Sequence, residues 1–405
     1  MEIRKLFVAE EKELHIFDKG NELIEQKTID QAMETLSLEG VRGLALMPDA
    51  HVGMGACIGS VIYTKDIVIP AAVGSDIGCG VLAVKLDLQK HEIPAEKYQD
   101  IYAKIKNSIP TGFLAKKNKQ PNKDNAGVDI WKRTPQRIRD VWAEELEDKY
   151  KKICGKNAKI KNGYALEQLG TLGGGNHFIE LCLDQSDIFW ILIHSGSRGA
   201  GSKIGSFFTK KAKKMPWNKN LVNKDLSFLY IDSEEGRGYL SAARWAQKYA
   251  ELNRKLIAEN VLKCLGFNVE SDIEFETISC HHNFIEQYSK GWLTRKGAIS
   301  ARENQLGLIP GSMGDTSYIV KGLGNIKSFH SSSHGAGRLM SRTQAKNEIS
   351  TECHENSLSG IVCDNSVTTL DETPTAYKDI DRVMEAQKEL TMPINSLTQV
   401  LCVKG

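Results

Sequence analysis

A chain of 405 residues, 41% hydrophobic and 26% charged, has the composition of a soluble globular protein and the length to bury a substantial core. No apolar run reaches the ~18 to 20 residues of a membrane span, which excludes the bilayer as its solvent. With 53 basic against 51 acidic side chains the net charge is +2, so affinity for nucleic acid has to come from local clusters.

The first residues, MEIRKLFVAEEKELHIF, interleave charged with apolar side chains and lack the uninterrupted apolar stretch of a secretory signal, which points to a cytoplasmic address. Nine cysteines, scattered and without a CxxC pair, point to reduced thiols in place of a disulfide framework, with some, Cys79 and Cys280 in view, available as ligands.

From about residue 40 to 90, short apolar runs (GLALMP, GSVIYT, IVIPAAVG, GVLAVKL) alternate with Gly, Pro and Asp, which predicts strands joined by tight loops. In this block MPDAHVGMGACIGSV precedes IPAAVGSDIGCGVLAV, where Asp76 and Cys79 stand three apart in a loop that flanking glycines let turn sharply. The pair offers two anionic metal ligands; a turn-capping carboxylate beside a buried thiol is the competing reading. Residues 95–160 change character: in TPQRIRDVWAEELEDKYKKI, Ile138, Val141, Trp142, Leu146 and Tyr150 recur at helical spacing, which predicts a peripheral helical segment. Lysines gather at 115–123, 151–161 and 209–219, where a solvated face and a track for phosphates are equally good readings.

Further along, LGTLGGGNHFIEL sets Gly170, Gly173, Gly174 and Gly175 ahead of Asn176, His177 and Glu180. Such loops expose N–H groups to phosphate, although this one matches neither the P-loop nor the Rossmann fingerprint. DIFWILIHSGSRGAG places His194 after an apolar strand and before Ser195, Ser197 and Arg198. Residues 238–264 carry the strongest helical pattern, and ISCHHNF then sets His281, His282 and Asn283 behind another strand-like run. In LIPGSMGDTSYIVKGLG, Pro310, Gly311, Ser312 and Met313 form a turn rich in donors. In FHSSSHGAGRLMSRTQAK, His334 precedes Gly335, Ala336, Gly337 and Arg338, an imidazole with open backbone and a guanidinium suited to phosphate. A neutral imidazole there could attack an activated phosphoryl group and pass it on; a capped helix N-terminus is the competing reading. The chain is expected to close with a helix, DIDRVMEAQKEL, and a short apolar tail, TQVLCVKG.

No linker or repeat divides the sequence, and the suspected site segments fall on both sides of the helical stretches. The expectation is an α+β fold: a single large mixed α/β domain over residues 1–405, with variable helical inserts at about 95–160 and 212–270 on its periphery. Asp76, Cys79, His177, His194 and His282 make a set of oxygen, sulfur and nitrogen donors large enough for two metal ions, with a thiolate able to bridge them. By softness alone that set would favour zinc.

Taken together these segments resemble the RtcB-type RNA-splicing ligase family, in its compact bacterial form. PDAHVGMGACIGSV, AAVGSDIGCGV, LGTLGGGNHFIE, HSGSRGAG, CHHNF, TRKGAISAR, LIPGSMG, SSSHGAGRLMSR, AYKDID and CVKG follow the family order over nearly the whole chain. GSD at 74–76 and LGGGN at 172–176 depart from the commoner family forms by small residues only. The resemblance implies that Asp76, Cys79, His177, His194 and His282 hold two manganese ions, with Cys79 shared. It implies a guanylate site at Asn176, His177, Phe178, Ile179, Glu180, His282, Asn283, Pro310, Gly311, Ser312, Met313, Ser317, His334, Gly335, Ala336, Gly337 and Lys404, with His334 the nucleophile.

The activity so implied is ligation driven by GTP. His334 takes guanylate from GTP and passes it to an RNA 3′-phosphate, forming RNA-3′-pp-5′-G, and an RNA 5′-hydroxyl then attacks that end and expels GMP. A 2′,3′-cyclic phosphate is expected to be opened first, at the same metal centre. The implied partners are such RNA ends and GTP, in tRNA splicing or RNA repair; a monomer is expected, and need for an activating protein is left open. A phosphoesterase would need the metal set without His334 or Lys404, and a non-catalytic RNA-binding module would have lost ligands. His330 and His354 match no family position and are expected to be ordinary surface or loop histidines.

Overall fold

In a computed structural model the chain is described at residues 4–9, 12–18, 20, 22–111, 135–162, 164–269 and 275–405. The lysine cluster at 115–123 lies outside these residues. Two large sheets organise the rest. The first, of six strands, runs in the order Arg4–Ala9, Lys12–Ile16, Val41–His51, Ile58–Thr64, Gly291–Lys296 and Asn283–Tyr288. The second, of eight, runs Thr277–His281, Gly80–Gln89, Ile188–Ser195, Phe178–Asp184, Thr391–Lys404, Ser317–Gly322 and Leu306–Ile309, with Val362–Cys363 pairing parallel to Thr391–Lys404. Sheets and helices mixed in this way make the α+β fold that the sequence leads one to expect.

The central strands of the larger sheet are buried on both faces, which is why they read as continuous apolar runs. Strand alternation sorts them. Leu82, Val84, Ile179, Leu181, Ile191 and Ile193 face the helix Tyr98–Ser108 and the end of the helix Glu234–Cys264. Val81, Phe178, Cys182, Trp190 and Leu192 face the other way, against Ile299, Leu308 and Met313. His194 follows Leu192 by two and Glu180 precedes Cys182 by two, so period 2 puts both on this second face.

The 31-residue helix Glu234–Cys264 opens on Ser233, whose hydroxyl accepts from Gly236 N–H. Its Tyr239, Trp245 and Tyr249 pack with Trp142, Leu146 and Tyr150, and Tyr150 stacks on Trp245 at 4.6 Å between ring centroids. The helical face expected at 138–150 is therefore real. The long helix, however, is largely buried rather than a peripheral insert, because its apolar side chains serve two core clusters at once.

Three local readings change. The C-terminal helix is only Ile380–Ala386, and the chain ends not in a short tail but in the 14-residue strand Thr391–Lys404. That strand lies inside the larger sheet, between Phe178–Asp184 and Ser317–Gly322. Its first half is largely exposed and a bulge between Gln399 and Leu401 breaks the alternation, so periodicity hides it. His354 is fully buried, not at the surface: its helical position turns it inward, where its nitrogens meet the hydroxyls of Thr373 at 2.7 Å and Thr369 at 3.1 Å. His330 is partly buried, its Nδ1 3.0 Å from the Gly324 carbonyl.

His282 is the one residue between Thr277–His281, in the larger sheet, and Asn283–Tyr288, in the smaller. The two sheets meet there, and Arg254 from the long helix holds the junction together. This fully buried guanidinium donates to the carbonyls of Gly78 and Ser195, each at 3.0 Å, and its other end lies 3.2 Å from His281 Nδ1. Arg254→Met would take the guanidinium from the Ser195 carbonyl and leave the Gly78 carbonyl with only His281 Nδ1, at 2.8 Å, a cost of about 1 to 3 kcal/mol. Urea unfolding is expected to show that loss, and an unchanged midpoint would count against it.

Candidate active site

Asp76 and Cys79 lie in the turn that leads into Gly80–Gln89, and Cys79 O accepts from the His282 amide at 2.8 Å, which docks the sheet junction onto the turn. Cys79 Sγ lies 3.5 Å from His177 Nε2 and 3.3 Å from His194 Nε2. Asp76 Oδ2 is 3.1 Å from His177 Nε2, and His194 Nε2 is 3.4 Å from His282 Nε2. Two donor groups result, Asp76–Cys79–His177 and Cys79–His194–His282, with Cys79 common to both.

These residues pass a chemical test for holding two cations. His177 Nδ1 sits 2.8 Å from the Leu172 carbonyl and His194 Nδ1 3.0 Å from that of Asn176, so each Nδ1 carries the proton and each Nε2 keeps its lone pair toward the cluster. Burial holds His194 and His282 well below the usual imidazole range, in the neutral form that binds metal. Burial also pushes the Cys79 thiol well up, so only a cation would keep it as thiolate. Burial alone would raise Asp76, but a proton shared with His177 Nε2 at 3.1 Å, with Arg198 and the Ser197 amide, brings it to about 2; a bound cation would replace that proton and take the Nε2 lone pair. Donors bound to one ion at 2.0 to 2.3 Å stand about 3.5 Å apart, close to the separations seen. Space is reserved for the set as well: a Cβ on Gly196 would come within 2.2 Å of Asp76 Oδ2.

His334 sits outside that cluster, its ring edge-on to His282 with centroids 4.8 Å apart. Its Nδ1 is 2.6 Å from Oδ2 of Asp49, a fully buried carboxylate that also accepts from the His334 amide at 3.1 Å. Burial works to raise Asp49, but His334 and Lys378 outweigh it and hold the carboxyl below its usual range. The Nδ1 proton is thereby fixed, leaving Nε2 free as a nucleophile. Gly337, with φ +77°, lets the loop approach: a Cβ there would lie 2.2 Å from the Asp49 carbonyl oxygen.

His334 opens onto a cavity of about 260 Å³, which it shares with His51, His194 and His282. Arg338, Arg342 and Lys404 line one side and converge on Glu372, at 2.9 Å each. Burial would raise Glu372, but Lys404, Arg342 and Arg338 hold it below the usual range. Arg338 Nη1 is buried with no partner. Asp371 also pairs with Arg342, at 2.6 Å, but does not line the cavity, so three cations face the cavity against the one carboxylate of Glu372, a wall suited to phosphates. Deeper in lies Glu180, 2% exposed, whose carboxylate meets only the thiols of Cys182 and Cys402, at 3.9 and 3.7 Å.

The sequence matches the model of the tRNA-splicing ligase RtcB family over residues 31–405. The chain belongs to the RtcB family. Among RtcB relatives, it is 40% identical to "RNA-splicing ligase RtcB" of Escherichia coli K12, over 99% of each chain. It is 29% identical to "tRNA-splicing ligase RtcB" of Methanococcus maripaludis, over 95% of this chain and 92% of that one. It is also 29% identical to "RNA-splicing ligase RtcB" of Mycobacterium bovis, over 93% of this chain and 100% of that one.

Most residues expected from the RtcB resemblance converge on the cavity: Asn176, Phe178, Glu180, His282, Pro310 to Met313, His334 to Gly337 and Lys404 all line it. Three do not. Ile179 points to the opposite face of the sheet, Ser317 is buried with its hydroxyl accepting from the Gly311 amide at 3.2 Å, and Asn283 accepts from Gly297 N–H at 2.9 Å beside the Asp76 turn. His177 belongs with the Asp76–Cys79 group and not with the cavity wall. Among Gly170 to Gly175, none lines the cavity; a Cβ on Gly173 would fall on the Arg198 guanidinium, so that glycine makes room for an arginine. Cys280 stays outside the donor groups, with Leu308 O 3.9 Å away. Sequence reasoning missed Asp49, His51, Arg342, Glu372 and Tyr377 as site residues; all but Glu372 sit inside motifs that had drawn attention, PDAHVG, SSSHGAGRLMSR and AYKDID.

If the donor groups act as the geometry indicates, metal-free protein should take up two divalent ions per chain by elemental analysis. Cobalt(II) should give a thiolate charge-transfer band that Cys79→Ser abolishes. A band that survives in Cys79→Ser would remove the bridging role.

Proposed function

We propose that the chain is an RNA ligase that uses GTP and two manganese ions to join RNA 3′-phosphate or 2′,3′-cyclic phosphate ends to 5′-hydroxyl ends. The observation that carries this reading is the Asp49–His334 pair: a phosphoesterase has no use for a histidine whose free nitrogen faces a cation-lined cavity beside, but outside, the metal donors. The names of the RtcB relatives point the same way.

In this reading Asp76, Cys79, His177, His194 and His282 hold the two ions, which when bound supply positive charge to the phosphates and to departing pyrophosphate. Nε2 of His334 attacks the α-phosphorus of GTP, the bond to the bridging oxygen breaks, and pyrophosphate leaves. Asp49 keeps the proton on Nδ1 and stabilises the charge that develops on the ring. Arg338, Arg342 and Lys404 offset the charge of the phosphates. An oxygen of the RNA 3′-phosphate then attacks the phosphorus on His334 and takes the guanylate. Finally the RNA 5′-hydroxyl attacks the 3′ phosphorus, and GMP departs with the bridging oxygen. A cyclic end is opened beforehand by water. Guanylate is the better leaving group, which is why the detour through His334 makes sealing feasible.

Glu180 supports guanine as the base. A buried carboxylate with only thiol partners is matched by the N1–H and N2–H donors of guanine, and adenine presents no such pair. The strand Thr391–Lys404 brings Lys404 over the Phe178 ring, at 5.6 Å from the centroid, on the same face. We also take residues 1–405 as one ligase domain, since the site segments alternate along the chain. A cytoplasmic address fits the nine free cysteines, and among the described residues no helix is long and apolar enough to cross a membrane. A monomer and RNA of tRNA-splicing or repair origin complete the reading.

Purified protein incubated with α-labelled GTP and manganese should acquire acid-labile label, and His334→Ala should acquire none. Asp49→Asn should label about 10²- to 10⁴-fold more slowly, because an amide can present its own N–H to Nδ1 and shift the proton to Nε2. Absence of label on wild type with metal bound would favour the phosphoesterase instead.

The Glu180 carboxyl is raised by burial, against the pull of Lys404, from 4.5 to about 8. The folded protein therefore holds a proton that the unfolded chain has released, so stability falls as pH rises from about 4.5 to about 8. Glu180→Gln should flatten that fall in thermal melts across this range, and GTP should lessen it in the wild type; equal slopes in all three would dismiss the role of Glu180.

A further inference from the structure

Of the nucleophiles in the ligation sequence proposed above, on which this inference rests, only one needs a base to join the strands. His334 attacks through a lone pair that Asp49 has already freed, and the RNA 3′-phosphate arrives as an anion. The 5′-hydroxyl arrives protonated. As it attacks the 3′ phosphorus in line, the hydroxyl lies opposite the departing guanylate. His334, from which that guanylate was taken, stands on the leaving side. The remaining bases of the cavity are committed: Glu372 to three cations, Glu180 to the nucleobase, His194 and His282 to metal.

His51 is not committed. It ends the strand Val41–His51 and lines the same cavity as His334. Its Nδ1 lies 3.1 Å from the main-chain carbonyl of Asp49, the residue whose side chain holds His334. Nδ1–H donates to that carbonyl, so the lone pair is on Nε2, and no described residue hydrogen-bonds Nε2. The two imidazoles thus hang from one residue by the same nitrogen, and both carry a free Nε2. The attachment is rigid. Lys378 donates to the carbonyls of Pro48 and Ala50, at 3.0 and 2.7 Å, on either side of Asp49. Beyond His51, Gln31 donates to the carbonyls of Gly53 and Gly55 and Lys296 to that of Ala56, at 2.6, 2.9 and 2.9 Å.

We propose that His51 is the general base of the sealing step, taking the proton of the RNA 5′-hydroxyl on Nε2 as that oxygen attacks the 3′ phosphorus. The O5′–H bond breaks, the O5′–P bond forms, the bond between the 3′ phosphorus and the anhydride oxygen breaks, and GMP leaves with its electron pair. His51 then returns its proton to solvent. Burial, with His334 and Lys378, holds His51 at about 4 against the opposing pull of Asp49, so the ring is neutral when the hydroxyl arrives. Anionic RNA and guanylate in the cavity raise its affinity for the proton.

The test separates the three steps in His51→Ala and His51→Asn. Labelling of His334 by α-labelled GTP and transfer of the label to an RNA 3′-phosphate should proceed near the wild-type rate, so that RNA-3′-pp-5′-G accumulates. Joining of preformed RNA-3′-pp-5′-G to a 5′-hydroxyl strand, in single turnover, should fall about 10²- to 10⁴-fold. Joining at the wild-type rate in either variant would overturn the proposal, and so would loss of labelling in both, which would make His51 a support for His334. Wild-type protein that neither labels nor joins would instead remove the ligase reading itself.

Discussion

A neutral imidazole offers a lone pair on one nitrogen only, and which one is decided by what the other nitrogen touches. At four histidines around the site that choice is made in the same sense. His177 meets the Leu172 carbonyl, His194 that of Asn176, His51 that of Asp49, and His334 the Asp49 carboxylate, in every case through Nδ1. In these four the Nε2 lone pair is therefore left free for the metal or the chemistry of the proposed reading. Three of the four anchors are main-chain oxygens, whose positions depend on strand register and loop path, so catalytic competence is inherited directly from the backbone.

The backbone can do this because the site lies where two sheets meet. His282 alone separates a strand of one from a strand of the other, and its amide is bound to Cys79 O. Asp49 and His51 come from the smaller sheet, His194, Glu180 and Lys404 from the larger. Alternation within the larger sheet puts the last three on one face without any special local structure. Buried cations then lock the joint, with Arg254 holding Gly78 and Ser195 and Lys378 and Lys296 holding the strand and loop around Asp49 and His51.

How much of the site and fold was legible in the sequence depends on the partner of each residue. The histidines in glycine-rich motifs stood out, because short spacing rules and a family pattern carry them. The apolar strands and the amphipathic face from Ile138 to Tyr150 were equally plain from period. Asp49 was hidden because its partner, His334, is 285 residues away and a lone buried aspartate has no periodicity. Glu372, bound by Lys404 and two arginines, was hidden for the same reason. The last strand escaped because half of it is solvated and a bulge shifts its phase. The glycines at 173 to 175 misdirected: their openness could equally have served a phosphate, and the Arg198 side chain takes the space beside Gly173.

The double use of Asp49 has a consequence for how such a site can change over generations. His334 is held by the aspartate side chain, which a single nucleotide change can erase, whereas His51 is held by a peptide oxygen that every amino acid supplies. Drift at codon 49 would thus disarm the proposed nucleophile while leaving the neighbouring ring and the candidate metal donors in place. In the proposed reading what would remain is a set of metal donors without its nucleophile, the constellation that a phosphoesterase needs.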